Sequence, residues 1–139
     1  MIAVANVAGQ EQINFQVPAE LAGASSASLV ITANGQSSAP LLVPLLSAQP
    51  ELFPLAEATR GSTTSFYGTG FGPVANLGSS VAVRIGGVSA PVSFAGLAPN
   101  FVGLYQLNVT VPESVTAGVA DVIVSVGTAE SRPVKLMIR

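Results

Sequence analysis

The sequence predicts an all-β protein, built of many short strands and tight turns, and three observations carry that prediction. One strand-like stretch is used twice: Gln12-Ile13-Asn14-Phe15-Gln16-Val17-Pro18 returns as Gln106-Leu107-Asn108-Val109-Thr110-Val111-Pro112. In both copies polar and apolar residues alternate and a proline ends the run, as in a strand with one face in a core and one in water. The 14 glycines and 10 prolines punctuate a chain rich in Val, Ser, Thr and Ala, a mixture that favours strands and turns over helices. Pairs such as Asn34-Gly35 and Gly86-Gly87 fall between apolar runs, where they read as two-residue hairpin turns.

Composition removes several classes of function. Charged residues make up 9% of the chain, against roughly 25% in an ordinary soluble domain. The net charge is −2, and Arg60, Arg84, Arg132, Lys135 and Arg139 are scattered, so no footprint for a phosphate backbone exists and no nucleic acid is expected. The longest apolar run, 39–46, is broken by Pro40 and Pro44 and is too short for a membrane span. Residues 1–9 are apolar but lack a basic n-region, so they do not read as a signal peptide.

Taken in order, 2–7 and 12–17 read as strands, 18–26 as a loop, and 27–33 and 38–46 as the arms of a hairpin about Asn34-Gly35. Residues 47–60, with two prolines and no alternation, read as a connector in which Leu52, Phe53 and Leu55 are tucked against a domain. The second unit opens at Gly61, with strands over 62–67, 80–85, 88–94, 104–111, 120–126 and 132–138.

The repeat sets the domain organisation. Gly9, Gln12, Asn14, Val17 and Pro18 recur 94 residues later as Gly103, Gln106, Asn108, Val111 and Pro112. Gly23, Gly35 and Pro40 match Gly118, Gly127 and Pro133 at slightly different offsets, so insertions fall in loops. Residues 1–46 thus correspond to the later strands of the unit at 61–139, and the strands at 62–67 and 80–85 have no earlier counterpart. The first unit is a partial one.

Four stretches together carry a family resemblance: 9–18, Phe66-Tyr67-Gly68-Thr69-Gly70-Phe71-Gly72-Pro73, Val83-Arg84-Ile85-Gly86-Gly87-Val88-Ser89-Ala90, and 94–109. The chain resembles the C-terminal domain family of large, uncharacterised secreted proteins from soil bacteria. Its second unit is similar to the IPT/TIG class of immunoglobulin-like domains. That resemblance implies a tandem immunoglobulin-like β-sandwich, extracellular, attached to other domains of a parent protein and without catalytic residues.

Chemistry fails on inventory. With no histidine and no cysteine there is no imidazole base, no thiolate and no soft metal site. The seven acids are spread singly, so neither a glycosidase pair nor a calcium cluster is spelled out. The run 68–72 lacks the Lys-Ser/Thr of a phosphate loop and reads as a glycine-rich bulge ending a strand. No cofactor and no enzymatic activity are expected. The candidate contact residues are the matched amides Gln12, Asn14, Gln106 and Asn108, with Tyr67 and Tyr105 as outward aromatics; the eight Phe and Tyr mostly fall at inward or turn positions. Two readings stay open: a structural or adhesive module that self-associates through its incomplete first unit or docks on upstream domains, and a module that binds an extracellular polysaccharide.

Overall fold

The computed structural model describes residues 2–7, 9–73 and 77–139, with 2–7 and 14 described by backbone alone. The chain divides into two compact units, Met1–Ser47 and Ala48–Arg139. It is all-β. Among the described residues no helix is long and apolar enough to cross a membrane.

The first unit holds β1 (Ile2–Val7), β2 (Gln10–Phe15), β3 (Ser26–Leu29), β4 (Thr32–Ala33), β5 (Gln36–Ser37) and β6 (Leu41–Pro44). They form three antiparallel pairs, β1–β2, β3–β6 and β4–β5. Asn34 and Gly35 both take positive φ, 50° and 75°, and so turn β4 into β5 as their dipeptide predicts.

The second unit runs β7 (Glu51–Leu52), β8 (Glu57–Ala58), β9 (Thr63–Thr69), β10 (Val81–Ile85), β11 (Val88–Ala90), β12 (Val92–Leu97), β13 (Tyr105–Thr110), β14 (Gly118–Val126), β15 (Ala129–Glu130) and β16 (Val134–Ile138). One sheet has the order β12-β13-β9-β7 and the other β11-β10-β14-β16-β8, with β15 paired to β14. Lettered A to G along the chain, these are the A-B-E-D and C-F-G sheets of an immunoglobulin-like sandwich. The two inner faces meet in a core whose fully buried side chains include Phe71, Ile85, Leu107, Val109, Val122, Val124, Leu136 and Ile138. Each such residue contributes roughly 1.5–3 kcal/mol through burial.

Two expectations need correction. Residues 48–60 are not a connector: they belong to the second unit, because β7 pairs with β9 and β8 runs parallel to β16. The chain changes sheets between those strands at Phe53-Pro54-Leu55-Ala56, where Pro54 offers no amide to either ladder. Residues 88–94 are likewise not one strand. Gly86 and Gly87, with φ of 58° and 81°, turn β10 into β11, and the chain then crosses at Pro91 into β12 of the opposite sheet.

The repeat in sequence is also a repeat in pairing. By their matched residues, β1–β2 corresponds to β12–β13, β3–β6 to β14–β16, and β4–β5 to β14–β15. Among the described residues the first unit has no counterpart of β9 or β10. Its rows reflect that: Ile13 is 41% exposed, whereas its match Leu107 is fully buried.

Candidate functional site

Along each strand of the β12-β13-β9-β7 sheet, alternate side chains enter the core or face outward. In β13 Tyr105, Leu107 and Val109 are buried, which puts Gln106, Asn108 and Thr110 on the outer face. In β9 Phe66 is buried and Ser65 and Tyr67 lie opposite. Antiparallel register aligns Tyr67 with Gln106, Ser65 with Asn108, and Thr63 with Thr110. The result is a polar ladder across the strand pair. The hydroxyls of Thr63 and Thr110 share a hydrogen bond of 3.0 Å. Ser65 Oγ donates to Asn108 Oδ1 at 2.9 Å, and Gln106 Nε2 donates to the same oxygen at 2.8 Å. Asn108 is therefore held by its carbonyl, and its amide nitrogen keeps two N–H donors.

Three aromatic side chains stand on the same face. Tyr67 is 40% exposed beside Gln106. The Phe53 amide donates to the Tyr67 carbonyl at 2.8 Å, so Phe53, 51% exposed, is the cross-strand neighbour of Tyr67. Phe94, 41% exposed, lies opposite Asn108 from β12. A β-bulge puts it there: the register of β12 on β13 slips between Val92 and Phe94, so Val92 packs on the core while Phe94, two residues on, points away from it. Gly96 lies opposite Gln106 and adds no side chain to the floor between them.

The two outer faces of the sandwich differ in charge. Glu51 is the only charged residue in β7, β9, β12 and β13, and Arg132 pairs with it at 2.7 Å. The other sheet carries Arg84–Glu130 and Lys135–Asp121, both at 2.7 Å, and Arg139–Glu57 at 2.6 Å. Among the described residues no group of three or more acids is placed to hold a metal ion. A hollow lined by Gly78, Val92, Ser93, Phe94 and Ala95 opens at the β12 edge of the neutral sheet.

Of the residues singled out from sequence, the structure brings Tyr67, Gln106 and Asn108 together on this face. Tyr105 is a correction: it is 6% exposed, its ring stacks on Phe71 with centroids 5.2 Å apart, and its hydroxyl donates to the Gly72 carbonyl at 2.6 Å. Burial pushes its phenol above the ordinary value of 10.0. This contact explains the glycine-rich run: Phe71 turns inward onto Tyr105, and a Cβ at Gly68 would run into the Glu51 carbonyl across β7–β9. Gln12 is exposed in the first unit, and the side chain of Asn14 lies outside the described residues.

Phe53 and Phe94 are the candidate site residues that sequence reasoning missed. Phe53 is exposed rather than tucked in, because a buried Leu52 in a strand forces its neighbour outward. Phe94 falls at the end of the run 88–94 that reads as one strand in the sequence; Val92 beyond the crossing still packs on the core, and the bulge after it turns Phe94 outward.

No family model and no curated protein matches the chain. Among solved structures it is similar to the mixed-linkage glucan utilization locus protein SGBP-B of Bacteroides ovatus, solved in complex with a mixed-linkage heptasaccharide. The identity is 20% and the TM-score 0.44, over 76% of this chain and 27% of that one. It is also similar to an endo-fucoidan hydrolase of glycoside hydrolase family 107, at 14% identity and a TM-score of 0.29, over 99% of this chain and 22% of that one. The chain spans about a quarter of the length of these structures.

Proposed function

We propose that the chain is a non-enzymatic, extracellular binding module that holds a polysaccharide on the outer face of its β12-β13-β9-β7 sheet. The observation that carries this reading is the gathering of Phe53, Tyr67 and Phe94 around the fixed amides of Gln106 and Asn108. A pyranose ring has a face of C–H groups and a rim of hydroxyls. Aromatic side chains take the C–H face, and amides take the hydroxyls as donor and acceptor. Asn108 Nδ2 supplies donors here and Gln106 Oε1 an acceptor. Such a face anchors whatever it is attached to without changing its ligand.

The test is retention in native gels cast with soluble polysaccharides, using the whole chain and its Tyr67→Ala variant. Retardation of the parent chain, reduced in the variant, is the expected result. Equal mobility in every polysaccharide gel would refute the reading.

Self-association is a second reading, and one observation favours it. Ile13 and Phe15 of β2 and Val17 just beyond it are 41%, 49% and 49% exposed, whereas their matched residues in the second unit are fully buried. A second copy would cover that row. Light scattering over about a hundredfold range of concentration checks it, and a monomer throughout would exclude it.

A further inference from the structure

We infer that the polysaccharide bound on this face is uncharged, and that it lies across the strands rather than along one, between a Phe53–Tyr67 subsite and a Phe94 subsite. This deepens the proposed function and rests on it. Charge supplies the first half of the inference. The four strands contribute one charged residue, Glu51, and Arg132 neutralises it at 2.7 Å. Arg84, Lys135 and Arg139 are engaged by Glu130, Asp121 and Glu57 on the opposite sheet, and Arg60 sits in the turn that leads into β9. An acidic chain of uronate or sulfate esters would meet no cation on this face beyond Arg132, already paired with Glu51, and its charges would lose water without a partner of their own. A neutral chain loses nothing of that kind.

Register supplies the second half. Phe53 and Tyr67 are neighbours on β7 and β9, whereas Phe94 stands on β12, opposite Asn108 and two residues further along the ladder than Gln106, the partner of Tyr67. With strands about 4.8 Å apart and about 3.4 Å per residue, Tyr67 and Phe94 are roughly 12 Å apart at their backbones. Gln106 and Asn108 of β13 lie between them, and Gly96 leaves the path beside Gln106 low. The line from one aromatic subsite to the other therefore crosses the amides obliquely, so one extended chain meets both rings and the amide pair together. Both flanks are needed: a single exposed ring would mark a spot, whereas two rings with amides between them set a direction.

The experiment is calorimetric titration of the whole chain with neutral and acidic polysaccharides from about 50 mM to about 500 mM NaCl. Mixed-linkage β-glucan and galactomannan represent the neutral class, alginate and a sulfated galactan the acidic class. The expected result is binding to a neutral polymer with affinity constant within about twofold across that salt range. Phe94→Ala and Tyr67→Ala should each weaken binding about tenfold or more, while Tyr67→Phe retains it. Both positions are exposed, so unfolding midpoints of the variants serve as the folding control. Binding confined to the acidic polymers, or falling steeply with salt, overturns this inference and leaves a polysaccharide module standing. Neutral binding that survives both alanine substitutions overturns the placement. Binding to neither class removes the proposed function itself.

Discussion

The two outer faces of the second unit come from the same sandwich and the same two-residue alternation, yet they carry opposite chemistry. The β11-β10-β14-β16-β8 face is laced by ion pairs, with Lys135 on β16 directly opposite Asp121 on β14. The β12-β13-β9-β7 face has hydroxyls, amides and three exposed rings in the same structural positions. Surface ion pairs contribute only about 0–1 kcal/mol each, so the charged face owes its composition to solubility more than to stability. Rings that stay 40–51% exposed leave much of their apolar area in water. In the proposed function, the sheet face that forgoes charge and keeps rings is the one that meets the ligand.

Five substitutions break or sharpen that contrast. The largest effect belongs to the shared core beneath both faces. Leu107→Ala removes a fully buried side chain and should cost about 2–5 kcal/mol in chemical denaturation, with both faces lost on unfolding. Its repeat partner gives the internal control: Ile13→Ala, at a position 41% exposed, should cost less than about 1 kcal/mol.

Next come the faces themselves. Phe94→Ala should weaken polysaccharide binding about tenfold with little change in unfolding midpoint, whereas Lys135→Ala should leave binding unchanged. Equal effects from the two substitutions would abolish the distinction between the faces.

Tyr105→Phe is smaller and tests why one tyrosine of the pair is inside. It removes the hydrogen bond to Gly72 and should cost about 1 kcal/mol without touching affinity. Burial holds the Tyr105 phenol protonated in the fold, so the unfolded chain loses its proton first as pH rises. The stability tied to this group is intact below the ordinary pKa of 10.0 and drains as pH climbs through the higher folded value. Denaturation midpoints above that pH should fall in the parent chain and fall less in Tyr105→Phe. The smallest effect is Lys135→Ala on stability, below about 1 kcal/mol.

Much of the fold was legible because it is local. Alternation marks β9, β10, β13, β14 and β16, the dipeptides Asn34-Gly35 and Gly86-Gly87 mark their turns, and the 94-residue offset marks the repeat. What escaped depends on where a strand crosses between sheets. Pro54 and Pro91 interrupt runs that look like a connector and a single strand, and in space each interruption hands the chain to the opposite sheet. Phe53 was read as tucked in because its run looked like a connector, whereas strand β7 with Leu52 inward turns it out, and at Phe94 the bulge after Val92 reverses the alternation. Tyr105 failed differently. Its strand was read correctly, but in a row with Leu107 and Val109 it belongs to the core face, where its hydroxyl is satisfied by the Gly72 carbonyl. The amides Gln106 and Asn108 were found because outward polar positions of an amphipathic strand follow from alternation alone.

The most direct measurement of the central claim is backbone amide NMR of the whole chain titrated with a neutral oligosaccharide. Shifts should concentrate at Phe53, Ser65, Tyr67, Phe94, Gly96, Gln106 and Asn108, with Arg84, Asp121, Glu130 and Lys135 unmoved. Shifts centred on those four charged residues, or no saturable shift with any neutral glycan, would contradict the assignment of the neutral aromatic face as the binding surface.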